Sequence, residues 1–165
     1  MKKLWEMKNK KKNNKGFSLV ELIVVIAIMA VLITVLAPAL LKYVENSRKS
    51  SDATVISGVV STLQASVISD NVSAGTYTVT LDQTGCGNVT NDDNGKLQAA
   101  LDNAYTNLAD LKLKANTWKT SGVTVSIEVG ADGQTTISYN NADFNTYIGT
   151  SAAGGENAGG GDAGQ

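Results

Sequence analysis

The sequence predicts an α+β fold in which a long N-terminal helix packs on a small antiparallel sheet, with a second, short helix beside it. Two observations predict the long helix: residues 22–41 form a nearly continuous apolar run, and the chain then becomes amphipathic at three- and four-residue spacing. A third observation predicts the sheet, because segments that alternate polar and apolar residues follow, separated by turn signals. One helix face laid on such a sheet gives a two-layer core.

The long helix is predicted over residues 17–69, with residues 17–41 as its transmembrane or assembly segment. Pro38 removes one backbone hydrogen bond and should kink the helix. Gly58 is unfavourable in a helix interior and indicates either a bend or a close contact. The apolar positions of the second half are Ile56, Val59, Val60, Leu63 and Val67.

The globular head is predicted over residues 70–148. Residues 76–81 alternate like a half-buried strand, and residues 84–88 form a turn. Asp93 or Asn94 is a suitable N-cap for the second helix. The apolar stripe of that helix is Leu97, Leu101, Ala104, Leu108 and Leu111.

The C-terminal part of the head is predicted to add two strands, Val123–Val129 and Thr135–Tyr139, joined by an Asp-Gly hairpin turn. Residues 144–148 are predicted to form a short edge strand. Residues 149–165 contain seven glycines and no apolar side chain larger than alanine. They cannot bury a core, so we predict a disordered tail.

Charge is distributed unevenly along the chain. Residues 1–16 are a basic leader with seven lysines and one glutamate, a net charge of +6, whereas the whole chain has a net charge of −1. Twenty helical residues span about 30 Å, so the run 22–41 can cross a bilayer. Each lysine would cost about 2.5–3.5 kcal/mol at the membrane centre. The leader is therefore predicted to stay in the cytoplasm, with everything after Leu41 on the outer side.

Composition weighs against an enzyme, and no cofactor or metal is predicted. The chain has no histidine, which excludes imidazole acid–base chemistry and His-ligated zinc. Its one cysteine, Cys86, is predicted to be a small buried or turn residue rather than a reactive thiol. The acidic turn at 92–95 lacks the spacing of an EF-hand loop, so turn and cap chemistry is preferred there. A weak calcium site is the lesser alternative.

The most specific motif lies between the basic leader and the apolar run, where residues 15–21 read Lys-Gly-Phe-Ser-Leu-Val-Glu. Glu21 is unexpected in a plain membrane anchor, because a carboxylate at the edge of an apolar run is costly and usually has a purpose. The string resembles the type III signal of type IV prepilins. The likeness continues to Pro38, where type IV pilins usually carry a helix-kinking proline.

This resemblance implies a role for each matching residue. A prepilin peptidase would cut between Gly16 and Phe17 and methylate the new amine of Phe17. Glu21 would then position the subunit against the N-terminal amine of a neighbour. The product would be a helical homopolymer, built from a membrane precursor by a membrane platform and an ATPase, with no nucleic acid as partner. It would act in adhesion, biofilm formation or twitching motility on the bacterial surface.

The resemblance also leaves alternatives open. A pseudopilin of a type II secretion or DNA-uptake system would share the whole motif. A secreted binding domain, released by signal peptidase after Ala39, is an alternative of another class, because Ala37-Pro38-Ala39 fits an A-x-A site. Many Gram-negative pilins close a C-terminal loop with a disulfide, which Cys86 alone cannot form, so the sequence suggests a Gram-positive source.

Overall fold

The structure is a computed structural model in which residues 17–92 and 94–149 are described. Backbone contacts divide the chain into two units, Met1–Lys42 and Tyr43–Gln165. The first described unit is helical from Leu19 onward, and the second contains the sheet. The predicted basic leader lies outside the described residues, as does the predicted tail after Gly149.

The long predicted helix is present as α1, Leu19–Ser69. It ends at the predicted residue. The helix stops there because the backbone becomes left-handed two residues later, at Asn71, which has a φ of 49°. The Val72 N–H donates to the Val67 carbonyl at 3.4 Å across this turn. Asparagine tolerates the left-handed region better than most residues, so it serves here as the stop signal.

The remaining elements belong to the second unit. Within the described residues its strands form one four-stranded antiparallel sheet in the order β2-β1-β3-β4. The predicted α+β class, with a long helix and a small antiparallel sheet, is confirmed. In chain order the elements are β1 Gly75–Asp82, β2 Gly85–Cys86, α2 Lys96–Ala104, a 3-10 helix Leu108–Asp110, β3 Val123–Val129, β4 Thr135–Tyr139 and α3 Ala142–Ile148.

The core lies between the second half of α1 and the inner face of the sheet. All five apolar α1 positions predicted from the spacing, from Ile56 to Val67, are buried. Strand residues alternate between this core and an outer face that carries threonine and serine. The strand side of the core consists of Tyr77, Val79, Leu81, Val123, Val125, Ile127 and Val129.

Two predictions about the second helix are wrong. The helix does not reach Leu111, because Tyr105 is extended, with φ −125° and ψ 122°, and ends α2. Leu108 lies in the separate 3-10 helix, where the Asn107 side chain accepts from the Ala109 N–H at 3.1 Å. The N-cap is Gly95, left-handed at φ 65° with no side-chain cap, and not the predicted Asn94. Asp93, the other predicted N-cap, lies outside the described residues.

The predicted edge strand 144–148 is also wrong, because these residues belong to α3. The Asn141 side chain accepts from the Phe144 N–H at 3.1 Å and caps the helix start. Side chains typical of strands therefore lie in a helix because a cap precedes them.

The turn predicted at 84–88 contains the two-residue strand β2, which pairs with the end of β1.

Gly58 marks a close contact. A Cβ atom built on it would lie 3.0 Å from the Tyr105 hydroxyl oxygen. Tyr105 follows α2, so the missing side chain lets the chain after α2 approach α1.

We expect Gly58→Ala to raise the free energy of unfolding more in a Tyr105→Phe background than in the wild-type chain. Alanine favours a helix interior over glycine by about 1 kcal/mol, but in the wild-type chain the Tyr105 hydroxyl must move to admit the methyl group. A double-mutant cycle by chemical denaturation of the full chain in detergent should show a difference of about 0.5–1 kcal/mol between the two backgrounds. Equal effects of Gly58→Ala in both backgrounds would contradict the contact.

Candidate functional site

The start of α1 is held by a bond between neighbouring residues. Phe17 and Ser18 are not helical, and the Phe17 side chain is 83% exposed. The Ser18 N–H donates to Oε2 of Glu21 at 2.9 Å. This is half of a capping box, in which a glutamate at the third helical position satisfies the N-cap backbone. The positive end of the helix dipole favours the same carboxylate.

The sequence prediction for Glu21 did not include this bond. The Ser18-x-x-Glu21 spacing directly before an apolar run is its signature and would have revealed it. The carboxylate at the edge of the apolar run therefore already has one partner within its own chain.

The apolar segment after Glu21 is exposed at every position from 22 to 41. It belongs to a helix long and apolar enough to cross a membrane, and its exposure distinguishes it from the core helix of a globular domain. The Thr34 hydroxyl donates to the Val31 carbonyl at 2.8 Å, so the one hydroxyl in the run is satisfied locally. Pro38 lies inside α1, and the kink stays a prediction.

The same segment matches a known family. Residues 11–37 match the family described as the prokaryotic N-terminal methylation motif. The chain carries a type IV pilin signal. The recognition made from the basic leader, the Gly16–Glu21 string and the apolar run is thereby confirmed. Searches of curated proteins and of solved structures found no match to this chain.

A type IV pilin signal that extends into an exposed apolar helix is the arrangement of a membrane-anchored precursor. A signal of this type implies processing by a prepilin peptidase and use of a pilus assembly machinery. The motif belongs to structural proteins rather than enzymes. Of the predicted processing residues, Phe17 lies just before α1, and Gly16 lies outside the described residues.

A second polar site anchors a loop of the head to α1. Asp52 is 1% exposed, and its Oδ2 accepts the N–H groups of Lys114 at 2.8 Å and Ala115 at 2.7 Å. Glu45 lies about two helical turns earlier on the same face and accepts from the Asn116 N–H at 2.6 Å. Three consecutive backbone N–H groups are thus bound by two carboxylates of α1.

This anchor was missed from the sequence. Asp52 and Glu45 lie far along the chain from the loop they bind, and no local pattern connects them. Their seven-residue spacing, which places both on one helix face, is the one available signal.

Aromatic packing supports the same loop. The Trp118 ring lies edge-on to Phe144 at 5.0 Å and to Tyr147 at 5.3 Å, measured between ring centroids. The Lys49 ammonium lies 5.6 Å from the Trp118 centroid, within the range of a cation–π contact. The loop is therefore fixed between α1 and α3.

The acidic turn uses its polar groups for capping. The Asp92 carboxylate accepts from the Gln98 N–H at 2.8 Å near the start of α2. The Lys96 ammonium donates to the carbonyls of Asp70 at 2.6 Å and Asn71 at 3.1 Å. Within residues 17–92 and 94–149, no three Asp, Glu, His or Cys side chains are grouped as a metal site would require.

Cys86 lies buried in β2, and burial raises the pKa of its thiol to about 11. At pH 8 a thiol of ordinary pKa is partly ionised, whereas this one is almost wholly protonated and is a weak nucleophile. We expect iodoacetamide to alkylate the native protein about a hundredfold more slowly at pH 8 than the denatured protein. Intact mass over time measures both rates. Equal rates would show that the thiol is accessible and ionised.

Proposed function

We propose that this chain is the precursor of a type IV pilus subunit. A prepilin peptidase cuts between Gly16 and Phe17 and methylates the Phe17 amine. The processed subunits then polymerise through their apolar segments into an extracellular filament. The observation that carries the proposal is the methylation motif over residues 11–37, which extends into an exposed apolar helix whose first turn holds Glu21.

Glu21 is suited to receive an N-terminal ammonium during assembly. A carboxylate offers about four acceptor positions, and the Ser18 N–H occupies one of them. Cleavage removes the basic leader and leaves an ammonium at Phe17. In a low-dielectric setting a carboxylate and an ammonium stabilise each other, while either alone is expensive. We therefore assign Glu21 and the Phe17 amine of a neighbouring subunit to each other.

The head suits the outside of such a filament. The outer face of the sheet carries exposed hydroxyl side chains at Thr76, Thr80, Thr136 and Ser138, whereas its inner face is apolar. Antiparallel sheets with one solvated face follow this pattern. The filament would depend on a membrane platform and an ATPase for assembly. Adhesion, biofilm formation or twitching motility are the activities it would serve.

Two other assignments make different predictions. A pseudopilin of a type II secretion or DNA-uptake system is processed in the same way but does not form abundant shed fibres. A secreted binding domain is cut after Ala39, not after Gly16, and leaves the membrane as a monomer.

The deciding experiment is intact mass and N-terminal sequencing of the protein from sheared surface material. We expect a chain that begins at methylated Phe17. Gly16→Val should block this processing, whereas the matched Ala39→Val, placed at the signal-peptidase site, should leave it unchanged. A chain beginning at Leu40, and lost in Ala39→Val, would overturn the proposal. Correct processing without surface fibres would favour the pseudopilin.

A further inference from the structure

The head has two ends that differ in their charged groups. One end, here called the base, is formed by α1 residues 45–52 and the loop 112–119, which bind each other through Glu45 and Asp52. The other end, here called the tip, is formed by the last turn of α1, the start of β1 and the β3–β4 turn 130–133. β1 runs from tip to base, and seven steps of about 3.3 Å place the ends about 23 Å apart.

Hydrogen bonds and strand register establish this placement. Gly75, the first residue of β1, pairs with Val129 beside the β3–β4 turn. The backbone carbonyl of Asp82, the last residue of β1, accepts from the Leu113 N–H at 2.8 Å in the base loop. The Gln83 N–H donates to the Lys119 carbonyl at 2.9 Å in the same loop.

Five of the six cations within residues 43–148 lie at the base, and the sixth, Lys96, lies at the tip. Lys112 and Lys114 are exposed there, and within the described residues the structure shows a salt bridge only for Arg48, to Glu45 at 3.9 Å. The base carries five carboxylates against five cations and is close to neutral overall, so the positive charge that it can offer a partner is local, at the exposed Lys112 and Lys114. The base cations are Arg48, Lys49, Lys112, Lys114 and Lys119, and the base carboxylates are Glu45, Asp52, Asp82, Asp110 and Asp143.

The tip presents carboxylates with little to balance them. Glu128 and Asp132 are exposed, and Asp70 is exposed at the end of α1. Lys96 is the lysine of this end, and its ammonium is engaged by two backbone carbonyls. Asp92 adds a further, half-buried carboxylate. The tip is therefore an anionic surface, and the exposed cations that could complement it lie at the opposite end of the same molecule.

We propose that the heads of successive subunits stack base to tip in the filament, with Lys112 and Lys114 of one copy against Glu128 and Asp132 of the next. The proposal rests on the proposed function, because the contact is one between subunits of a fibre. Two different complementary patches on one molecule form a heterologous contact, which propagates as an open helical array instead of closing a dimer. Tip-to-tip contact would bring like charges together, so the charges also select the polarity.

Exposed ion pairs are individually weak and screened by salt, so the interface depends on several pairs acting together. We expect K112E/K114E and E128K/D132K each to lower the yield of surface fibres about tenfold. Combining the four substitutions restores opposite charges across the contact and leaves the net charge of the chain unchanged. This combined variant should recover most of the wild-type yield.

The controls separate folding from assembly. Each variant is checked for prepilin processing by intact mass and for thermal unfolding of the full chain in detergent, both of which should match wild type. Added salt should lower the yield of wild-type fibres and of the combined variant alike. A combined variant as poor as its parents, or parents with wild-type yield, would overturn base-to-tip stacking.

Cross-linking tests the geometry directly. Fibres carrying both Lys114→Cys and Asp132→Cys, treated with a bis-maleimide, should give a ladder of linked subunits, because each copy offers one exposed thiol at each end, while the native Cys86 is buried. Either single variant should stay monomeric. Dimers from a single variant would indicate a like-to-like contact and contradict the proposal. Absence of wild-type fibres altogether would count against the pilus function itself, which distinguishes the two failures.

Discussion

Replacing Asp52 by alanine is expected to lower the free energy of unfolding of the head by about 3–5 kcal/mol. The carboxylate is almost completely buried and accepts two backbone N–H groups, those of Lys114 and Ala115. Without it these groups lose their acceptor, and the loop that carries Trp118 loses its attachment to α1. Hydrogen bonds to charged groups contribute about 1.5–3 kcal/mol each. Chemical denaturation of the full chain in detergent, followed by circular dichroism, measures the change.

Two comparisons define the result for Asp52. Asp52→Asn keeps an oxygen acceptor but loses the charge, and charge-assisted bonds are about twice as strong as neutral ones. We therefore expect it to fall between wild type and alanine. Asp102→Ala removes an exposed carboxylate from α2 and should change stability by less than about 0.5 kcal/mol. An Asp52→Ala variant as stable as Asp102→Ala would show that the two bonds do not anchor the loop.

Replacing Gly85 by alanine is expected to destabilise the head by about 3–5 kcal/mol. Gly85 has a φ of 132°, which side chains rarely adopt, and it begins β2. A Cβ atom there would lie 2.5 Å from the Ala109 Cα and 2.6 Å from the Leu108 carbonyl oxygen. Both are backbone atoms of the 3-10 helix, so neither can rotate away. The short strand and this helix would have to separate.

Gly133→Ala is the matched control for Gly85→Ala. Gly133 also has a positive φ, 77°, but a Cβ atom there would meet no atom within 4 Å. We expect it to lose only about 1–2 kcal/mol, the cost of the left-handed backbone alone. The difference between the two glycine variants in thermal unfolding then measures the backbone contact. Equal losses would mean that β2 and the 3-10 helix separate freely.

The elements with long, regular patterns were predicted from the sequence. The helix to Ser69, its buried apolar positions and strands β3 and β4 all appear where periodicity and turn signals placed them. Short elements were less predictable, because one cap outweighs several residues of propensity. Asn141 makes a helix of residues that favour strands, and the extended Tyr105 ends α2 before its apolar stripe is complete.

The candidate sites also differ in whether the sequence alone could predict them. The prepilin signal is a contiguous string, so the sequence alone identified it, and the matched motif agrees. The cut after Gly16, the methylation of Phe17 and the role of Glu21 in assembly stay predictions. The Asp52 anchor joins residues more than sixty positions apart, and a contact of that kind leaves no local trace in a single sequence.

The anchor at Asp52 also bears on how this surface can evolve. Asp52 recognises the backbone of the loop, so the exposed side chain at position 114 takes no part in holding the loop in place. Substitutions at that position can accumulate without loosening the fold, whereas Asp52 itself has no such freedom. Folding therefore constrains Asp52, whereas the proposed contact between subunits constrains position 114, so the contact can change in the course of evolution while the scaffold beneath it is inherited intact.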